Sequence, residues 1–384
     1  GGIAMSFANA GIPVTLIETG EEQLKRGMGI MQKNWEATAA RGGIPADAPA
    51  KRMALINGVV GIENVGDADL VIEAVFETMA VKKEVFGKLD QYVKPGAVLA
   101  SNTSYLNIDE IAKSTKRPQD VLGMHFFSPA NVMKLCEIVR ADKTAPDALV
   151  TAVNIARKIA KVPVVVGVCH GFVGNRMYDQ SGKQADKLLF EGALPQQVDA
   201  ALKNFGMPMG PFVMSDLAGN DIGWLSRKDR GVKSEIADAL CEAGRFGQKA
   251  GKGWYRYDAG SRTPIPDPEV ELLIDQTLTR LGRKRRVVRD EEIIERVIYP
   301  VINEGARILE EGIAARPGDI DVVWLCGFGW PIYRGGPMYY ADQIGLDKVL
   351  AKMRELQAAV GDEFKPASLL EKLVAEGKRF GEFK

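Results

Sequence analysis

The chain has 384 residues and a mass of 41.8 kDa, long enough for two or three domains with sizeable cores. Hydrophobic residues make up 46% and charged residues 26%, an ordinary composition for a soluble globular protein, and fifty basic residues balance fifty acidic ones. A net charge of zero argues against a nucleic-acid or membrane-surface binder, which carries a basic excess, while leaving room for a local basic patch toward a phosphorylated ligand.

Along the first half, strand and helix signals alternate. An amphipathic stretch over residues 1–10 leads through Gly11 to VTLIE (14–18), a short β-rich run, and a helical segment over 21–40 follows. DLVIEA (69–74) is almost continuously apolar, as in a strand buried on both faces of a parallel sheet. Val81, Val85, Phe86, Leu89 and Tyr92 share one face of the helix predicted after it. AVLAS (97–101) and VLGMHF (121–126) predict further strands, with NIDEIA (107–112) as a capped helix between them. CEIV (136–139) and VPVVVG (162–167) predict two more. Alternating βα units of this size imply a doubly wound α/β domain of Rossmann type, with a parallel sheet, over residues 1–170.

After Gly171 strand signals become scarce, and helical periodicity runs from Asn175 to about Asp221. DAGSRTPIPDP (258–268) reads as a linker, beyond which helices return. The two helical parts resemble each other. LLFEG (188–192) recurs as ILEEG (308–312), VDAAL (198–202) as IDVVW (320–324), and FGMPMGP (205–211) as FGWPIYRGGP (328–337). This shared order predicts a duplicated all-α unit: a first helical domain with its linker over 171–268 and a repeat over 269–384. Asp216 and Asp342 recur at matching places, so the repeat architecture accounts for them.

The four cysteines, Cys136, Cys169, Cys241 and Cys326, are widely spaced and form no C-x-x-C pair, so neither a disulfide framework nor a zinc site is expected. A reducing interior fits, and the cytoplasm is the expected location. No apolar run reaches the roughly eighteen residues of a membrane span, and the start of the chain lacks the build of a signal peptide.

A dinucleotide fold needs a glycine-rich turn, a helix N-terminus aimed at the pyrophosphate and an acid about twenty residues further on. Gly1-Gly2-Ile3-Ala4 stands at the start of the first helix, and Glu18 ends VTLIE, where a carboxylate can accept bonds from ribose hydroxyls and repel a 2′-phosphate. That favours NAD over NADP. The same residues also fit a plain helix followed by a strand. In open α/β sheets ligands lie beyond the carboxyl ends of the strands, and residues 74–77, 101–104 and His125 all follow predicted strand cores. His125 is one of only two histidines; Glu137 follows it inside an apolar run, where an unpaired carboxylate would be costly to bury. The other, His170, reads as a hinge or surface residue, and Cys136 as core packing.

Taken together, SNTS (101–104), GMHFFSP (123–129), VMKLCEIV (132–139) and GFVGNRM (171–177) resemble the L-3-hydroxyacyl-CoA dehydrogenase family over nearly the whole chain. The duplicated helical part and GQKAGKGWYRY (247–257) look most like the dehydrogenase portion of multifunctional fatty-acid β-oxidation enzymes. The resemblance implies NAD-dependent interconversion of 3-hydroxyacyl-CoA and 3-ketoacyl-CoA. It places the catalytic base on His125, its partner carboxylate on Glu137, and substrate contacts on Ser104 and Asn175. NAD contacts fall on Glu18, Ala74, Glu77, Lys82, Asn102 and Ser104, with Lys82 expected within reach of a ribose or phosphate oxygen. Asn175 comes from the helical part, so the cleft between domains is the expected site. The family begins with a strand and G-x-G-x-x-G, whereas this chain starts just after the last fingerprint glycine, so the sheet is expected without that central strand and the pyrophosphate without most of its backbone donors. There is no room ahead of these motifs for the hydratase half of multifunctional relatives, which is expected in the parent polypeptide or as a partner.

The chemistry suits the residues. Oxidising a secondary alcohol removes the hydroxyl proton as hydride leaves carbon, and a neutral imidazole is a good acceptor near neutral pH. A carboxylate on the other ring nitrogen fixes the tautomer and stabilises the imidazolium. Asn175 corresponds to Glu295 in the repeat, so the second unit lacks this group and is expected to pack instead of forming another site. Two other readings share the plan: a β-hydroxyacid dehydrogenase acting on free acids, and a chain kept for assembly alone. The former class relies on a lysine in its helical domain, where Lys183 and Lys187 read as solvated helix residues.

Overall fold

The structure, a computed structural model, describes residues 1–229 and 231–383. In chain order the first elements are α1 (Gly2–Asn9), β1 (Val14–Glu18), α2 (Glu21–Ala40), α3 (Ala48–Met53), β2 (Ile56–Val60), β3 (Leu70–Glu73), α4 (Met79–Tyr92), β4 (Val98–Ser101), α5 (Ile108–Ala112), β5 (Val121–Phe126), β6 (Leu135–Arg140), α6 (Pro146–Lys158) and β7 (Val162–Gly167). Helices follow: α7 (Gly174–Glu191), α8 (Pro195–Phe205), α9 (Pro211–Ala218), α10 (Asn220–Asp229), α11 (Glu235–Glu242), α12 (Pro268–Arg280), α13 (Asp290–Glu310), α14 (Pro317–Gly327), α15 (Pro337–Ile344), α16 (Leu346–Val360) and α17 (Ser368–Ala375). The chain divides into two compact units, Gly1–Asn175 with Glu311–Phe328, and Arg176–Glu310 with Gly329–Lys384.

In the first unit, β1 and β2 form a parallel pair, and β3-β4-β5-β6-β7 form a second sheet in that order. The expected parallel sheet has one reversal: β5 and β6 run antiparallel, and every other neighbouring pair is parallel. A strand's apolar pattern carries no information about its direction, so the reversal is not legible in the sequence. Nor is β2 predicted, because INGVV holds Asn and Gly, both poor strand formers. Val98, Ala100, Leu122, Met124, Phe126, Cys136 and Ile138 make one face of the larger sheet. Ala148, Ala152 and Ala156, one turn apart on α6, let that helix approach it closely. Ile3 and Phe7 of α1 pack on this core, while Ala4, Met5 and Ala8 pack on Met31, Trp35 and Ile56. One short helix therefore serves the cores of both sheets. On the strand side, α14 packs against β6 and β7, and Ile313 accepts a bond from Gly167 N at 2.7 Å.

The helical duplication appears in the second unit as matched pairs. Arg176 on α7 donates to Glu304 on α13 at 2.6 Å. The counterpart of Arg176 is Arg296, whose guanidinium donates to Gln184, the counterpart of Glu304, at 3.1 Å. The two long helices thus clasp each other reciprocally. Asp216 accepts from Trp254 N and Tyr255 N at 2.8 and 3.0 Å; Asp342 accepts from Phe380 N and Gly381 N at 2.7 and 2.9 Å. Each aspartate anchors the segment that closes its repeat.

Arg296 is 1% exposed and also holds Glu191, so its loss strands buried polar groups. Arg296→Ala is expected to cost about 3 kcal/mol, seen in a thermal scan as a fall of roughly 6–12 °C. Arg316→Ala, at an exposed pair, is expected to leave the scan unchanged.

Candidate active site

The antiparallel β5–β6 ladder sets His125 directly across from Glu137. Cross-strand partners share a sheet face, so the two side chains meet: His125 Nδ1 lies 2.8 Å from Glu137 Oε2. The other carboxylate oxygen, Oε1, accepts from Val173 N at 3.2 Å and Gly174 N at 2.9 Å, at the start of α7. Glu137 has no exposed surface, and its three donors satisfy the burial of an ionised group. A carboxylate at Nδ1 selects the tautomer with the proton there, leaving an acceptor lone pair on Nε2, which has no protein partner among the described residues. His125 is 3% exposed and packs against Phe127 and Phe172, with ring centroids 4.4 and 5.6 Å away. Cys136 lies on the opposite sheet face within the core, where burial pushes its thiol up.

The SNTS segment turns at the end of β4, beside β5. Glu77 holds it: its carboxylate accepts from Thr103 Oγ1 at 2.5 Å, Ser104 N at 2.8 Å and Tyr105 N at 3.2 Å. Partial burial works to raise the Glu77 pKa, but these bonds and the Lys82 ammonium outweigh it and hold the carboxyl below its usual range. Ser104 is half-buried. Asn102 Oδ1 accepts from Phe126 N at 2.8 Å, so this amide secures the residue after His125. Asn175, the second residue of α7, is half-buried one residue past the Glu137 anchor. It falls within the first unit, not with the helical one.

Of the residues expected at a dinucleotide, Glu18 is half-buried at the end of β1, and Ala74 is exposed beyond β3. Lys82 departs from expectation. It points inward with no exposed surface, its ammonium 2.8 Å from Glu73 and 3.4 Å from Glu77, so it is not presented to a ribose or phosphate oxygen. It sits one turn from Phe86 on the buried face of α4, while Tyr92 lies exposed. Glu73 is the residue the sequence reasoning missed: it also takes bonds from Ser101 Oγ and Val75 N, both at 2.7 Å. The signal was available, since a carboxylate inside an apolar run is as conspicuous in LVIE as in CEIV. His170 is exposed, its ring 5.0 Å from Tyr105. Lys187 pairs with Glu363, and Lys183 is exposed.

Comparison with known proteins decides the family. The description "3-hydroxyacyl-CoA dehydrogenase, NAD binding domain" matches residues 1–169, and that of the C-terminal domain of the same family matches 171–257 and 293–382. The chain belongs to the 3-hydroxyacyl-CoA dehydrogenase family. It is 44% identical over 397 residues to the peroxisomal bifunctional enzyme of Danio rerio, covering 98% of this chain and 55% of that protein. The human peroxisomal bifunctional enzyme is likewise 44% identical, over 400 residues. The chain thus spans about half the length of the curated relatives it matches. Among solved structures, 3-hydroxybutyryl-CoA dehydrogenase from Escherichia coli is similar with a TM-score of 0.80 at 25% identity, covering 98% of this chain and 96% of that one. The dehydrogenase part of multifunctional enzyme 1 from C. elegans has a TM-score of 0.72 at 32% identity, covering 97% and 86%.

The residues at the start of α1 fit the NAD that this family's first domain binds. Its first helical bond runs from Met5 N to Gly1 O, so the preceding amides are free of helical partners. A Cβ on Gly2 would lie 3.3 Å from Ala130, so only glycine leaves this approach uncrowded.

Removing the inward lysine separates the two roles proposed for it. Lys82→Met leaves Glu73 buried without its cation, an expected cost of about 3 kcal/mol and a fall in melting temperature of roughly 6–12 °C. A weakened NADH affinity with unchanged melting would instead return Lys82 to the cofactor.

Proposed function

We propose that this chain oxidises (S)-3-hydroxyacyl-CoA to 3-ketoacyl-CoA, reversibly, in fatty-acid β-oxidation or related short-chain acyl-CoA metabolism. The observation that carries this reading is the buried His125–Glu137 pair with Nε2 left open. In the oxidative direction His125 Nε2 takes the substrate hydroxyl proton, and Glu137 stabilises the imidazolium that forms. Ser104 hydrogen-bonds the oxygen that changes from hydroxyl to ketone, and the Asn175 carboxamide holds the thioester carbonyl. NAD, held by the α1 amides and Glu18 with Ala74, Glu77, Asn102 and Ser104 along the strand ends, supplies the hydride acceptor. For Glu77 and Asn102 this is a second duty, since both already brace the rim. The two peroxisomal relatives are named bifunctional and are longer than this chain, which supports a hydratase domain or partner acting on the same acyl-CoA. Four widely spaced cysteines with no C-x-x-C pair support a reducing compartment; the cytoplasm is our proposed location, and relatives named peroxisomal make cell fractionation its test.

The reading is tested by following NADH oxidation with acetoacetyl-CoA. His125→Ala is expected to lower kcat by ~10²–10⁴-fold, and Asn175→Ala to impair turnover as well. Glu295→Ala is expected to leave it nearly intact, because Glu295 pairs with Lys352 at 3.1 Å within the second unit. Reduction of a free keto acid, with acetoacetyl-CoA inert, would sink the CoA thioester reading.

A further inference from the structure

We infer that Phe328, contributed by the second helical repeat, is a positioning residue of the His125–Glu137 pair. This rests on the dehydrogenase reading above. Phe328 caps the C-terminus of α14, with its amide on Trp324 O at 3.2 Å, and is 8% exposed. Its ring meets Phe127 edge-on, centroids 5.5 Å apart, and Phe127 in turn packs on the imidazole of His125. The same ring lies against Gly174: a Cβ there would stand 2.6 Å from Phe328 Cε2 and 3.2 Å from Phe127 Cζ. Gly174 is the residue whose N–H holds Glu137. One aromatic ring therefore backs both halves of the pair, the imidazole through Phe127 and the carboxylate through Gly174.

Two further contacts fix the ring's own support. Gly327 lets α14 lie directly on β6, since a Cβ there would fall 2.5 Å from Leu135 Cδ2. Trp324 packs on Phe328 with centroids 5.0 Å apart. The internal repeat supplies a contrast. Phe205 occupies the matching place in the first repeat, yet its ring packs on Trp330 and Tyr340, each 5.3 Å away, within the second unit. The duplicated phenylalanine has been turned to different uses, and only the later copy backs the dyad. Proton transfer falls off steeply with small misplacements of the base, so a loosened backing is felt in the chemical step more than in ligand affinity.

The test compares Phe328→Leu with Phe205→Leu, alongside wild type and His125→Ala. Both leucine variants are expected to melt a few degrees lower, so melting does not distinguish them. Phe328→Leu is expected to lower kcat about 5–20-fold, to raise the solvent isotope effect on kcat, and to leave the KM for acetoacetyl-CoA and the NADH Kd from titration within about twofold. Phe205→Leu is expected to keep wild-type kcat. Gly174→Ala, which crowds the same ring, is expected to show the same signature, and Phe328→Leu/Gly174→Ala to be no slower than the slower single variant, because both act on one contact. Wild-type kcat and isotope effect in folded Phe328→Leu would overturn the proposal and leave the ring a purely structural one. Equal kinetic losses in both leucine variants would overturn it too. An inert wild type would instead count against the dehydrogenase reading itself.

Discussion

The first unit depends on one buried carboxylate. Glu137 sits inside a strand with no contact with water, and an ionised group there persists only because three donors converge on it. Those donors come from different parts of the chain: an imidazole on β5 and two backbone amides where α7 begins. The reversal of β6 makes the first contact, since an antiparallel ladder puts residues of two neighbouring strands face to face in fixed register. A parallel neighbour would reach β5 only through a crossover, and thirteen consecutive residues, His125 to Glu137, could not then hold both partners. The same carboxylate tethers the start of α7, so Asn175 is placed by the group that orients His125.

A second carboxylate arrangement shapes the neighbouring rim. Glu73 takes Lys82, Ser101 and Val75, while Glu77 takes Thr103, Ser104 and Tyr105. Lys82 lies between the two acids and offsets the cost of having them near each other. The outcome is a turn at the end of β4 whose Ser104, Tyr105 and Leu106 amides are already committed and whose Ser104 side chain is left to act. Rigidity of this kind suits a site that must hold substrate oxygen in one position, because little ordering remains to be done on binding.

Much of this was legible in the sequence wherever it follows from local pattern. The bounds of α2, the Asn107 cap of α5 and the cores of β4, β5 and β7 follow from periodicity and side-chain chemistry. His125 and Glu137 stand out because a rare residue and an ionisable one interrupt apolar runs. What escaped depends on contacts between distant segments. Lys82 reads as a contact for a ribose or phosphate oxygen, whereas in the fold its ammonium lies 2.8 Å from Glu73, nine positions earlier. Asn102 and Glu77 read as ligands for a cofactor, and only the fold reveals that both already hold backbone amides. Phe328 lies two hundred residues from the pair it backs, at a motif that in its first copy packs elsewhere.

The duplication is therefore symmetric in its scaffold and asymmetric in its use. The scaffold is kept by an aspartate that anchors the end of each repeat from within it, and by two reciprocal contacts between the repeats, Arg176 with Glu304 and Arg296 with Gln184. Each pair needs both copies, so neither repeat can drift far without stranding a buried guanidinium or amide in the other. Positions outside these clasps differ between the two copies. Asn175 stands at the start of α7, one residue past the Glu137 anchor, whereas its counterpart Glu295 pairs with Lys352; Phe328 packs on Phe127, which packs on His125, whereas its counterpart Phe205 packs on Trp330 and Tyr340. Segment Glu311–Phe328 belongs by sequence to the repeat and by contact to the first unit. The repeat contributes in two ways: it completes the clasp around α7, and its α14 covers the sheet face on which the histidine lies.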